Sequence, residues 1–194
     1  MEALSPSPKF QGKEKLVAAL DAAIRLGEVD AITAALQGAL RTAIRDPLIE
    51  LPPCVHRTVE GRYARRELHR SPELGYSVVA MCWGPGQGTP LHDHDAMWCV
   101  EGVWSGELVV TPYALVEQRD DRFRFAAQPV LYGERGSAGS LIPPHEYHTL
   151  HNASDRDIAV SVHVYQGRME RSTVFDALGD DWYQSRVHLL DCDA

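Results

Sequence analysis

Gly84-Pro85-Gly86-Gln87-Gly88-Thr89-Pro90-Leu91-His92-Asp93-His94 sets three glycines and two prolines ahead of a His-x-His. Glycine and proline break helices and favour turns, so the run delivers the chain abruptly to its histidines. On a strand, residues i and i+2 share a face, with Cα atoms roughly 7 Å apart. His92 and His94 so placed can converge on one metal ion. A third imidazole must come from elsewhere. Pro143-Pro144-His145-Glu146-Tyr147-His148, with His151 just beyond, offers three candidates.

Around this stretch the chain is built of short alternating or apolar runs punctuated by Gly, Pro and Asp. Strands are expected at 63–68, 76–83, 97–103, 107–113, 122–126, 139–142 and 158–165. Many short strands with frequent turn signals point to a sandwich or barrel, jelly rolls included. The run 158–165 has two unlike faces: Val160, Val162 and Val164 on one, Ser161, His163 and Tyr165 on the other. A hydroxyl, an imidazole and a phenol in one row suggest the wall of a polar cavity. The tail, 173–190, is expected to be a short helical or irregular piece followed by a strand.

Upstream the periodicity changes to 3.6. Leu16, Leu20, Ala23 and Ile24 share one helical face over 13–26, with Gly27 as punctuation. Asp30 is expected to cap a second helix, 31–44, along which Ile32, Leu36, Leu40 and Ile44 recur, and Asp46-Pro47 stops it. The expected division is a helical segment, 1–50, packed on a β domain, 51–194, with a mobile Pro/Ser-rich start over the first dozen residues.

Composition narrows the classes. The chain has 194 residues, a net charge of −8 and 44% hydrophobic residues. That suffices for a packed core, and no basic patch suggests nucleic-acid binding. No apolar window reaches membrane-spanning length, and the first residues lack a signal-peptide core. The expectation is a cytoplasmic protein, monomeric or weakly self-associating, with no nucleic-acid or membrane partner. Cys54, Cys82, Cys99 and Cys192 form no CxxC pair and are expected as free thiols.

At these residues the sequence resembles the cysteine dioxygenase family of the cupin superfamily. Gly86, His92, His94 and Gly106 match the first cupin motif, with Cys99 where glutamate would stand. Pro143, His148 and Asn152 match the second, with Ser137 and His145 in place of its glycines. Tyr63-Ala64-Arg65 is similar to the Tyr-x-Arg of the family, Cys82-Trp83-Gly84 precedes the His-x-His at the family's spacing, and Ser161-x-His163-x-Tyr165 matches its Ser-x-His-x-Tyr. The spacing to Asn152 and to Ser161 favours His148 as third ligand. The Gly/Pro run and Met97-Trp98 look closer to bacterial 3-mercaptopropionate dioxygenases, a group that usually carries Gln at position 65 and Gly at position 99.

The resemblance implies an all-β cupin jelly-roll barrel with two N-terminal α-helices. It implies a mononuclear Fe(II) on His92, His94 and His148, with O2 as co-substrate and a small thiol bearing a carboxylate as substrate. Three neutral imidazoles leave the charge of Fe(II) uncompensated, which an anionic thiolate can supply. Arg65, next to Tyr63, would hold the carboxylate as a planar fork. Tyr165 would act near the reacting atoms, oriented by His163 and Ser161, with Cys99 within thioether-forming reach of Tyr165 as in the animal enzymes. L-cysteine to cysteine sulfinate is the first choice of reaction. A mercaptocarboxylate dioxygenase and a non-catalytic metal-binding cupin sensor are the alternatives.

Overall fold

The computed structural model describes residues 7–144 and 146–193. The first six residues of the Pro/Ser-rich start, and His145, lie outside them. Two helices open the chain, α1 (Lys13–Ile24) and α2 (Val29–Arg45), followed by a 3-10 turn at Pro53–His56. Twelve strands follow: β1 (Ala64–Ser71), β2 (Tyr76–Trp83), β3 (Leu91–His92), β4 (Cys99–Ser105), β5 (Glu107–Arg119), β6 (Arg122–Ala127), β7 (Leu131–Glu134), β8 (Ala138–Leu141), β9 (His148–Asn152), β10 (Ala159–Gln166), β11 (Arg171–Gly179) and β12 (Trp182–Leu189). The result is mostly β with two helices.

The strands form two antiparallel sheets. One runs β1-β2-β10-β4-β8. The other runs β6-β12-β11-β3-β9-β5-β7, with β5 also pairing with β6. Long β5 manages both because its first half, up to Pro112 opposite His148, pairs with β7 and β9 and its second half, from Tyr113, with β6.

The helices cover one face of the five-stranded sheet. Leu16 and Leu20 of α1, and Leu36, Leu40 and Ile44 of α2, join one core cluster with Val78, Ala80, Val100, Val160, Val162 and Val164. Burying each large aliphatic side chain contributes about 2 kcal/mol. The helix can press this close because β4 carries Gly102, where a Cβ would stand 3.0 Å from Ile44 Cδ1 and 3.4 Å from Leu40 Cβ. Gln37 and Arg41 then tie α2 to β8 through Ser140 Oγ and the Ala138 carbonyl.

The central strand, β10, is buried on both faces. Its valines meet the helices. Ser161, His163 and Tyr165 turn the other way, toward Met81, Trp83, Cys99 and Val103 between the sheets. The row is thus turned inward, as a cavity wall requires.

Three expectations are corrected. The tail forms no helix: β11 and β12 make a hairpin whose turn carries three consecutive positive-φ residues, Gly179, Asp180 and Asp181. Aspartate tolerates that left-handed region better than most side chains, so Gly-Asp-Asp marks a hairpin. Second, α2 begins at Val29 after Glu28, and Asp30 lies inside its first turn rather than at its cap. Third, β3 ends at His92, so His94 stands beyond the strand. No helix among the described residues is long and apolar enough to cross a membrane.

Candidate metal centre and the cavity above it

The three imidazoles meet, though by a different route from simple strand alternation. His92 pairs directly with His148 across β3 and β9. His94 swings in from the turn that follows. Asp93, between the two histidines, fixes that turn: its Oδ1 accepts the backbone N–H groups of Thr173 and Asp95 at 2.8 and 3.1 Å, and its own N–H donates to the Thr173 carbonyl. Asp95 and Ala96 take positive φ to complete the reversal. One candidate ligand nitrogen from each of His92, His94 and His148 lies within 4.8 Å of the others.

These residues fit a metal. Burial holds all three rings below their ordinary pKa, His94 and His148 well below, so all are neutral and able to ligate. His92 Nδ1 lies 3.1 Å from the Pro90 carbonyl and His148 Nδ1 2.8 Å from the Glu146 carbonyl. Such contacts assign the proton to Nδ1 and leave Nε2 free. His94 Nδ1 is buried without a hydrogen-bond partner. Among the described residues no carboxylate joins the group; His145, weighed as a rival ligand, lies outside them, and His151 sits on an exposed part of β9.

A cavity of about 420 Å³ opens beside the imidazoles. Arg65, only 3% exposed, enters it from β1. Its terminal nitrogens reach the Asp191 and Met169 carbonyls at a long 3.4 Å, and Nε has no partner. A buried cation so weakly bonded has strong unused donor capacity. Its positive charge acts on His92, His94, His163, Cys99 and Tyr165. Tyr63 also lines the cavity, stacked on Trp83 with ring centres 4.5 Å apart. Arg66, next to Arg65 on β1, is not among the residues lining the cavity.

Tyr165 and His163 line the same cavity. The Tyr165 ring lies 5.7 Å from that of His94, and Tyr165 is the cross-strand partner of Cys99. The Tyr165 and Cys99 side chains share the buried cluster between the sheets. Burial pushes both groups' pKa values well up, so both carry their protons at neutral pH. Trp83 Nε1 donates to Ser161 Oγ at 2.9 Å, and Ser161 Oγ lies 2.7 Å from His163 Nε2. The relay does not continue to the phenol. The His163 ring lies nearly parallel to that of Tyr165, with centres 5.9 Å apart, and its Nδ1 faces Glu101 Oε2 at 3.4 Å and Cys99 Sγ at 3.9 Å.

Several participants escaped the sequence reading. Glu101 is one, on the same inward face of β4 as Cys99. Others are Asp93, and Ser172, His188 and Asp191, which the C-terminal hairpin and the segment after it contribute to the cavity lining. Asn152, noticed only as a motif position, binds the Trp83, Gly84 and Asp157 carbonyls through Nδ2 and so clamps the end of β2 beside the metal-candidate strands.

Residues 59–177 match the family model described as Cysteine dioxygenase type I. Among curated relatives, cysteine dioxygenase type 1 of Homo sapiens is 25% identical over 101 residues, 52% of this chain and 50% of that protein. The Danio rerio protein of the same description is 24% identical over 102 residues, with the same coverage. The chain thus spans about half the length of the curated relatives it matches. Among solved structures, a protein from Klebsiella pneumoniae described as having a double-stranded β-helix domain aligns with a TM-score of 0.46 at 19% identity, over 64% of this chain and 94% of that one.

Proposed function

Since the chain belongs to the cysteine dioxygenase type I family, we propose that it is an Fe(II)-dependent thiol dioxygenase. It adds both atoms of O2 to the sulfur of a small thiol bearing a carboxylate, with L-cysteine to cysteine sulfinate as the first choice. The observation that carries this reading is the presence, in one cavity of about 420 Å³, of three neutral imidazoles and a buried arginine whose Nε has no partner.

His92, His94 and His148 hold the iron, which when bound supplies the Lewis acidity and redox capacity for joining thiolate and O2. The chain's own residues bind and orient. Arg65 takes the substrate carboxylate with charge-assisted hydrogen bonds. Tyr63, held by its stack on Trp83, shapes the pocket beside that arginine. Tyr165 places a hydroxyl at the reacting end, and Cys99 faces Tyr165 from the neighbouring strand. Ser161, fixed by Trp83, anchors His163. A thioether between Cys99 and Tyr165 belongs to the same reading.

Oxygen uptake by the Fe(II)-loaded protein with L-cysteine, 3-mercaptopropionate and cysteamine tests it. Turnover to a sulfinate with a carboxylate-bearing thiol, and little with cysteamine, is expected. No thiol-dependent uptake by a protein that holds iron would overturn the assignment in favour of a non-catalytic metal-binding cupin. Arg65→Gln should raise KM roughly ten- to a hundredfold, the worth of a hydrogen bond to a charged partner. An unchanged KM for L-cysteine would remove Arg65 from the substrate site.

A further inference from the structure

Glu101 is an acid where the fold has no evident use for one. It projects from β4 between Cys99 and Val103, on the face turned into the space between the sheets, and its side chain is 13% exposed. Its Oε2 is fully buried with no well-formed hydrogen bond, and the nearest cationic or imidazole group is His163 Nδ1 at 3.4 Å. Across the register β10 sets His163 opposite Glu101 and Tyr165 opposite Cys99. From β8 the facing residue is Gly139, which brings no titratable group. The charge that reaches His163 from β1 is that of Arg65.

The far end of the imidazole is constrained. Ser161 Oγ already accepts the Trp83 indole N–H. If the Ser161 hydroxyl donates to His163 Nε2, every donor in the row has an acceptor and the ring proton sits on Nδ1. If instead Nε2–H donates to Ser161, the buried hydroxyl hydrogen is left without an acceptor at hand, at a cost of about 1–3 kcal/mol. An ionised carboxylate at Nδ1 can only accept, and so reinforces the first arrangement. A neutral carboxyl can instead donate to Nδ1, which places the single ring proton on Nε2 and leaves the Cys99 sulfur, 3.9 Å from Nδ1, with no N–H facing it.

We propose that Glu101 is a positioning residue: its carboxyl group fixes whether the His163 proton lies on Nδ1, beside the Cys99 sulfur that pairs across the strands with Tyr165, or on Nε2, beside Ser161. The role rests on the dioxygenase reading for its catalytic consequence, and on geometry alone for its effect on His163. Burial pushes the Glu101 pKa up to about 7 and drives that of His163 down to about 3. Near neutral pH, then, the acid changes charge while the imidazole keeps its single proton. The ionised form, which commits Nδ1–H to the carboxylate, is the active one.

Side-chain 1H–15N correlation spectra of the full chain, with diamagnetic Zn(II) added in place of Fe(II), read this directly. In the wild type the His163 nitrogen shifts should move with a midpoint near pH 7, without reaching imidazolium values. In Glu101→Gln they should stay flat from pH 6 to 9. In parallel, kcat of the Fe(II) enzyme should rise with pH through the same midpoint. Glu101→Gln should lose that limb and lie roughly tenfold lower, the scale of a lost outer hydrogen bond at a metal site, with KM unchanged. Glu101→Asp should restore part of the limb. Identical titrations in wild type and Glu101→Gln, or a uniform drop in kcat with the pH profile intact, would overturn the proposal. If the spectra behave as expected but no thiol is oxidised, the positioning role stands and the dioxygenase reading falls.

Discussion

A buried acid beside a buried base is the most informative pair of residues in the molecule, and its energetics have a definite sign. A carboxyl group whose pKa is raised from 4.5 to about 7 on folding is favoured in its neutral form. The stability it permits is full below pH 4.5 and is lost as pH rises through 7. Glu101→Gln should therefore leave stability unchanged at pH 4.5 and raise it at pH 8 by at most about 3 kcal/mol, read from urea denaturation at the two pH values. A gain of similar size at both would mean that burial of the acid is not what shifts it. The ionised form proposed as active is thus the less stable one, a common trade at functional sites. This acid was invisible in the sequence because Cys-Val-Glu-Gly reads as a strand with one surface charge. His92, His94, His148 and Arg65 were legible because their residue types and spacings are chemically costly to place by chance. What no spacing could give was the direction of a ring: only coordinates turn His163 Nδ1 toward Glu101 instead of Tyr165.

Strands and turns show why some elements were readable and others not. The two helices declare themselves by aliphatic residues at helical spacing, of which Leu16, Leu20, Ala23, Ile32, Leu36, Leu40 and Ile44 become buried in one cluster. β2 is buried throughout and β10 is buried up to Tyr165, and they read as apolar or two-faced runs. β3, β7 and β9 have two, four and five residues, too few for a period to emerge, and β9 was legible only as a source of imidazoles. Of the β11–β12 hairpin the second strand was expected and the first was missed, because its polar outer positions imitate an irregular segment. One turn carries a testable cost. Gly106 joins β4 to β5 at φ +75, and a Cβ there would stand 2.8 Å from Ala159 Cα. A left-handed non-glycine residue and a backbone clash act together, so Gly106→Ala should destabilise by roughly 1–3 kcal/mol. The change should appear as a lower urea midpoint with an unchanged m-value. A midpoint equal to that of the wild type would show that the β4–β5 turn relaxes freely.

Viewed whole, the chain brings its imidazoles from the middle of the sequence, its arginine from the first strand of the β region and much of its outer wall from the last thirty residues. Folding and metal binding should therefore be linked. Metal at a hundred times its Kd should add about 2.7 kcal/mol, or a Tm rise of roughly 5–10 °C for a chain of this size. Chelation should reverse that rise, and His148→Ala should show neither the rise nor its reversal. Equal Tm values with and without Fe(II) would mean that the three rings do not act as one site. The closing stretch of chain is itself laced to the arginine strand. Asp193 accepts two bonds from the Arg62 guanidinium and the backbone N–H of Arg65, and its own N–H returns to the Arg65 carbonyl. Between Asp193 and the cavity-lining Asp191 stands Cys192, the one cysteine of the four classed as exposed. A maleimide dye coupled there would sit at the rim of the pocket and serve as an optical reporter of occupancy without any engineered handle. Desolvation by the surrounding chain raises the thiol's pKa, so coupling calls for mildly alkaline buffer.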